Sequence, residues 1–355
     1  MKWGNWTMCR NVGKVGKGIL SILVGVFLAA VLLTGCGKST EPEKVNVGLL
    51  KLTSSAPIFI GIEKGFFKEE GLDLNVEWFE AAQPIAVATA SNKVDIGATG
   101  ITASLFNMVG GGQSLSIVAD KGREQAGYSS SAVLVRKALW DQGVKKVEDL
   151  KGKRIGITQK GSTFHYMIGR LLEEKGLTLD DVEIVSLGSI GSLMASLQSG
   201  QVDAVILNEP NISKVESAGY GKVMVQVGDV MEYQTSGIFF SPKFTKDKNV
   251  ATKFLKGYIK ATRYYYDAVL NKQDGKVVPG ANYNEVVDII AKYTGVPVED
   301  VKSGLPYIDR DGKLLSADIQ TQIDWYVSHK MMDKPISGSQ VVNTDLWEAA
   351  LKELK

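Results

Sequence analysis

The sequence predicts an α/β protein built as two lobes, each a mostly parallel sheet flanked by helices, with a cleft between them. Three observations carry this. Short apolar runs with strand character alternate with stretches of helical periodicity. The order strand, loop, helix, strand, helix, strand occurs twice: KEEGLDLNVEW (68–78) is answered by LEEKGLTLDDVEIV (172–185), and NKVDIGATG (92–100) by GQVDAVILNEP (200–210). Finally, residues 129–135 and 235–240 each run from small polar residues into an apolar strand, and they bracket about one domain's worth of chain.

The first thirty-six residues stand apart from this pattern. Lys2, Arg10, Lys14 and Lys17 precede an apolar run at 19–33, which ends in Leu33-Thr34-Gly35-Cys36. The run is short for a membrane span and suits a signal peptide. Its last four residues resemble the lipobox of bacterial lipoproteins, in which the Cys is lipidated and becomes residue one. Residues 1–36 are thus read as a lipoprotein signal ending in a lipidated Cys36, with 37–44 as a polar linker. An uncleaved anchor helix is the alternative. Of the 355 residues, 41 are Lys or Arg and 39 are Asp or Glu. The signal takes four of the basic ones, which leaves 37 against 39. A nearly neutral exported chain argues against a nucleic-acid partner. Cys9 falls in the signal, so the mature chain keeps one Cys, and only two His exist, His165 and His329. That excludes a disulfide, a thiol nucleophile and a His/Cys zinc site, and no cofactor is expected.

From residue 45 the elements follow in order. Residues 45–50 read as a strand, 51–56 as a Ser/Thr loop, and 58–70 as a helix closed by Gly71, with Pro57 suited to its first turn. Residues 72–79 alternate as a strand and 81–91 form a helix. A strand at 93–97 leads into Thr99-Gly100-Ile101-Thr102, then a helix to about 109 and a strand at 115–119. The second copy opens with IGITQKGSTFHYMIGRLL (155–172). Its Ile155 and Ile157 belong to a buried strand, and Lys160–Thr163 supply turn and capping chemistry. Phe164, Met167, Ile168, Leu171 and Leu172 then lie on one helix face. Strands at 182–187 and 201–205 flank a helix at 192–199. After residue 237 the chain returns to the first lobe and packs helices on it at 249–270, 284–293, 298–303, 317–329 and 344–354, with 275–280 a loop. The lobes are therefore 45–130 plus 237–355, and 131–236.

Ligands of parallel sheets bind beyond the carboxyl ends of the strands. Two facing lobes bring both sets of loops to one cleft. The first contributes Ser54 and Ser55, Trp78 to Glu80, Thr99, Gly100 and Thr102, and Asp120 to Arg123. The second contributes Gly161, Ser162, Thr163 and His165, the Gly188-Ser189 turn, and Asn208 with Glu209. The crossing strands add Ser129, Ser130, Ser131 and residues 233–236. Hydroxyls and the helix start at Ser162-Thr163 suit a small anion held by neutral donors. Arg123 is the expected counter-charge. Trp78 is placed to stack on a ligand or close the cleft, and for a zwitterion Glu209 and Arg123 would divide the two ends. A Ser162–His165 nucleophile is conceivable, yet residues three apart in a first helical turn also serve as a cap.

PIFIGIEKGFFKEEGLDLNVEW (57–78) resembles the N-terminal signature of the nitrate/sulfonate/taurine-type solute-binding proteins of ABC importers. KVDIGATG (93–100), DLKGKRIGITQKGSTFHYMIGRLLEEKGL (149–177) and SGQVDAVILNEP (199–210) resemble that family's later motifs, in the same order. Where the family often has an aromatic before Glu-Pro, this chain has Asn208. The resemblance implies a type II periplasmic-binding-protein fold whose lobes close on a ligand at the Ser54-Ser55, 99–102, 129–131 and Ser162-Thr163 regions. It implies a monomeric, lipid-anchored receptor on the outer face of the cell membrane. Its partners are a small anionic or zwitterionic ligand (a sulfonate, taurine or an aromatic carboxylate) and the ABC permease and ATPase. A binder of a thiamine-pyrimidine precursor, and an enzyme of the pyrimidine-precursor synthase type, are the alternatives. The latter relies on Cys and His chemistry absent in any cluster here.

Overall fold

The computed structural model describes residues 41–273 and 276–355. The signal, Cys36 and residues 37–40 of the linker lie outside them. The first sheet draws on β1 (Glu43–Leu49), α1 (Ala56–Glu63), α2 (Phe66–Glu69), β2 (Leu72–Trp78), α3 (Ala82–Ala90), β3 (Ile96–Gly100), α4 (Ala103–Gly110) and β4 (Ser116–Glu124). The chain then crosses into β5 (Ser131–Arg136) and α5 (Lys137–Asp141). It continues through β6 (Arg154–Ile157), α6 (Thr163–Glu173), β7 (Glu183–Ser186), α7 (Ile190–Ser199), β8 (Ala204–Asn208), α8 (Asn211–Ser217) and β9 (Gly221–Gln226). β10 (Tyr233–Phe240) returns to the first sheet. The helices α9 (Lys248–Val269), α10 (Tyr283–Thr294), α11 (Val298–Lys302), α12 (Ser316–Ser328) and α13 (Asp345–Glu353) follow.

The strand orders are β2-β1-β3-β10-β4 and β7-β6-β8-β5-β9. In the first, β1 runs parallel to β2 and β3 while β10 is antiparallel to β3 and β4. In the second, β6 runs parallel to β7 and β8 while β5 is antiparallel to β8 and β9. Each sheet is thus a parallel set with one reversed strand, and that strand is the first laid down after a crossing.

The repeat seen in the sequence has a physical counterpart. Asp95 Oδ2 accepts from the Asn46 amide of β1 at 2.9 Å, and Asp203 Oδ2 accepts from the Arg154 amide of β6 at 3.0 Å. Each aspartate stands just before a strand and clasps the neighbouring one. β3 and β8 begin at Ile96 and Ala204, three residues later than the alternation alone suggests, because the Lys93 and Val94 amides donate to Ala88 O and the Val202 amide to Ser196 O, in the last turns of α3 and α7. Other departures are local. A left-handed Gly65 (φ +76°) splits the expected 58–70 helix into α1 and α2. β1 starts inside the expected linker. Residues 120–123, read as a loop, belong to β4, and Lys276–Val277 pairs with Lys272–Gln273 instead of looping freely.

Two large apolar clusters hold the fold, and a small third one joins Leu50, Leu52 and Ile85. One lies on the first sheet, with Val45, Val47, Leu49, Ile58, Phe59, Phe254, Leu255, Tyr258 and Ile290. The other is built on the second sheet with Val133, Ile155, Met167, Ile168 and Leu207, and it extends to Phe106 of α4, Phe239 of β10 and Ile319, Ile323, Trp325 and Tyr326 of α12. α12 therefore does not pack on the first lobe alone, as its companions were expected to. Its Trp325 meets α6 where Gly169 leaves room: a Cβ there would lie 2.3 Å from Trp325 Cζ2.

Candidate functional site

The loops beyond the strand ends of the two sheets meet. The Ala103 amide of α4 donates to Gly161 O at 2.9 Å, and the Thr53 amide donates to Glu209 O at 3.3 Å. Tyr326 Oη of α12 donates to Ser162 O at 3.2 Å. Glycine permits this approach, since a Cβ at Gly100 would lie 2.7 Å from Thr163 Cγ2.

Between these contacts is a cavity of ≈ 40 Å³. One water requires about 10–15 Å³ on this scale, so the space suits a few waters or one small polar head group. From the first sheet it is lined by Leu50, Leu52 and Ser54 after β1, Ala81 and Ala82 after β2, Thr99 and Gly100 of β3, and Lys121 and Gly122 of β4. Thr235 and Ser236 come from β10. From the second sheet come Ser130 before β5, Thr158 after β6, Ser162, Thr163 and Phe164 at the start of α6, Ile190 of α7 and Asn208 of β8.

Lys121 is the ionisable residue of this lining. Its side chain is buried, and its Nζ donates to Ser54 Oγ at 2.9 Å. Burial pushes its ammonium down to about 7, with Asp120 opposing. Thr99 Oγ1 is buried and has no hydrogen-bond partner among the described residues. Ser162 caps α6, its Oγ accepting from the His165 amide at 3.2 Å.

Seven of the residues proposed from the sequence line the cavity: Ser54, Thr99, Gly100, Ser130, Ser162, Thr163 and Asn208. The others are placed around it. Ser55 Oγ is tied to Leu50 O at 3.0 Å, and Thr102 Oγ1 caps α4 by accepting from the Leu105 amide at 3.3 Å. The hydroxyls of Ser129, Ser130 and Ser131 all donate to the buried Glu124, at 2.7, 3.0 and 2.6 Å. Burial raises the Glu124 carboxyl against those three donors. Gly161 packs against Ala103. His165 accepts the Gly161 amide on Nδ1 at 3.1 Å, and burial lowers its imidazole to about 4. It is thus neutral and occupied, and no Ser162–His165 hydroxyl–imidazole pair is formed.

Two charged expectations need correction in geometry. Arg123 does not line the cavity: its guanidinium lies over Tyr307 at 4.6 Å and reaches Asp309 at 3.6 Å. The cause is a bulge in β4. Opposite the consecutive pair Ser236 and Gly237, β4 presents Gly122 and Asp120, with Lys121 the extra residue. Bulges re-aim side chains, and this one sends Lys121 to Ser54 and Arg123 the other way. Glu209 faces Ser213, which donates to both carboxylate oxygens at 3.1 and 3.0 Å, and Ser213 in turn meets Ser303 at 2.7 Å. Burial lifts its carboxyl to about 7. Trp78 stands on an outer groove with Phe79, Glu80, Ile190, Met194 and Lys214, which shares Leu50, Leu52 and Ile190 with the cavity. Lys121, Thr158, Thr235 and Ser236 are the polar lining residues not selected from the sequence, although the 120–123 and 233–236 segments were.

Among the described residues no cluster of three or more His, Cys, Asp or Glu could hold a metal ion, and no helix is long and apolar enough to cross a membrane.

A family model described as NMT1/THI5 like matches residues 52–268, more than half of the chain. The Bacillus subtilis (strain 168) protein YtlA is 24% identical over 346 residues, covering 93% of this chain and 96% of its own. The nitrate/nitrite binding protein NrtA of Nostoc sp. (strain PCC 7120) is 22% identical over 353 residues, covering 88% and 78%. Among solved structures, the alkanesulfonate-binding protein SsuA from Xanthomonas axonopodis pv. citri, bound to MOPS, superposes with a TM-score of 0.70 at 19% identity, covering 86% of this chain and 99% of that one.

Proposed function

The chain belongs to the NMT1/THI5 like family, and from that premise we propose that it is the extracytoplasmic solute-binding component of an ABC importer. It captures a small organic anion of the sulfonate or carboxylate type by closing the cleft, then delivers it to a permease and its ATPase. The observation that carries the reading is the cavity itself: loops from both sheets converge on one buried ammonium, Lys121, among hydroxyls, one of which is unpartnered. Such a site binds an anion through one charge and several neutral donors. The names of SsuA, an alkanesulfonate-binding protein, and of NrtA, a nitrate/nitrite binding protein, support an anionic ligand.

Several finer points belong to the same proposal. The lobes are taken as 45–130 with 237–355, and 131–236, with one adjustment: β10 pairs with β3 and β4 from Tyr233 on, so Tyr233–Ser236 go with the first lobe and the return crossing precedes them. The head group sits among Ser54, Thr99, Gly100, Ser130, Ser162, Thr163 and Asn208, with Lys121 added. Cys36 carries the lipid that holds a monomeric receptor to the outer face of the membrane. A ligand bridging the lobes shifts the open–closed equilibrium toward closure.

The test is calorimetric titration of the mature protein with ethanesulfonate, benzoate and taurine, followed by product analysis. Binding of an anion without turnover, weakened about tenfold or more by Ser54→Ala or Thr99→Val, is the expected outcome. Conversion of the ligand, or binding indifferent to both changes, would overturn it.

A further inference from the structure

We propose that Lys121 sets the ligand class of this cavity: it admits an anion that carries no amino group, and the Lys121 amine takes up a proton as the anion binds, becoming the ammonium that pairs with it. The inference rests on the receptor reading above and deepens it.

An ammonium has three N–H donors, and Ser54 Oγ is the described partner of Lys121 Nζ. The remaining donors face a lining of hydroxyls, glycines and apolar side chains. A buried charge without a counter-charge is unfavourable, so the carboxylates nearby decide what the amine does. Asp120, the neighbouring residue, spends its oxygens on the Gly122 and Asp309 amides and the Gln234 side chain, at 2.7, 2.7 and 2.6 Å. Glu124 on the same strand is enclosed by Ser129, Ser130 and Ser131. Glu209, beyond Asn208, turns to Ser213. Glu80, after β2, stands on the outer groove.

The cations on the enclosing elements are also turned elsewhere. Arg123 lies on Tyr307, and Lys51 lies over the Trp78 ring at 5.5 Å. Lys160 and His165 flank the α6 turn, the latter bonded to the Gly161 amide, and Tyr233 opens β10. Neither they nor the carboxylates line the cavity, so among the described residues Lys121 is its single charged side chain.

Two consequences follow. A ligand ammonium entering here meets no carboxylate and one like charge, so a zwitterion is refused where the simple anion is accepted. Before an anion enters, the amine sheds its proton near neutral pH because it is buried; an anion at hydrogen-bond distance restores the charged form. Affinity is therefore constant well below pH 7, where the proton is already present. It falls as pH rises above 7, where each anion must bring one proton, by up to about tenfold per pH unit.

The experiment is isothermal titration of the mature protein with ethanesulfonate and with taurine at pH 6 and pH 8, in two amine buffers of different ionisation enthalpy. Sulfonate buffers are avoided as competitors. The expected result is uptake approaching one proton per ethanesulfonate at pH 8 and little at pH 6, with taurine at least tenfold weaker at both. Lys121→Arg, charged throughout, keeps ethanesulfonate binding and loses both the proton uptake and the pH slope. Lys121→Met loses ten- to hundredfold in affinity at pH 6. Ethanesulfonate binding at pH 8 with no proton uptake, equal affinity for taurine, or an unchanged slope in Lys121→Arg would overturn the inference and leave the receptor reading intact. Failure of the wild-type chain to bind both ethanesulfonate and benzoate would overturn that reading, and this one with it. The proton count needs no variant, so a poorly folding substitution does not blunt the test.

Discussion

Lys121 and Arg123 are two residues apart on one strand, and regular alternation would aim them the same way. The extra residue at the bulge separates them, giving the cavity a lysine and the Tyr307 wall an arginine. Nothing in Asp120-Lys121-Gly122-Arg123 distinguishes a loop from a bulged strand, because the decisive fact is the offset against β10, which follows more than a hundred residues later. By contrast, the places of Ser54, Thr99 and Ser162 in the cavity lining were legible, since each stands at or just past the end of a strand and strand ends point at the cleft. Glu209 offers a prediction at this scale. Its carboxyl is raised to about 7 from 4.5, so the fold favours its protonated form. The stabilising contribution is whole below pH 4.5 and is lost as pH rises through 7. Chemical denaturation across pH 4.5–8 should show the wild type losing up to about 3 kcal/mol relative to Glu209→Gln. A flat difference would mean that the carboxylate is not desolvated as the geometry implies.

Among elements, α6 shows most directly how sequence becomes packing. Its apolar stripe and the capping chemistry just before it were both readable from 155–172. Its partner was not. Trp325 of α12 lies across Gly169, and that meeting depends on a helix some 150 residues downstream whose own periodicity fits either lobe. Gly169→Ala gains roughly 1 kcal/mol of helix propensity, but the new methyl lies where the indole ring stands. Overpacking of this kind costs about 1–3 kcal/mol. A net loss of up to about 2 kcal/mol in urea unfolding is expected, with a shift in tryptophan emission. A more stable variant would show that α12 yields easily.

For the molecule as a whole, the duplicated pattern was enough to give two sheets and a shared groove, because each copy carries its own strands, helices and turn signals. What it could not give was the extent to which the apolar interior of the second sheet continues into α4, β10 and α12. A continuous interior predicts cooperative loss of structure. Differential scanning calorimetry of the mature chain should record one transition with calorimetric and van't Hoff enthalpies in agreement. Two resolved transitions would mean that the lobes melt separately. The paired aspartate clasps have a different bearing. Because Asp95 and Asp203 each lock a strand register locally, one wall of the groove can be rewritten by mutation while the opposite wall keeps its alignment, an inheritance that lets a duplicated scaffold change its guest in small heritable steps.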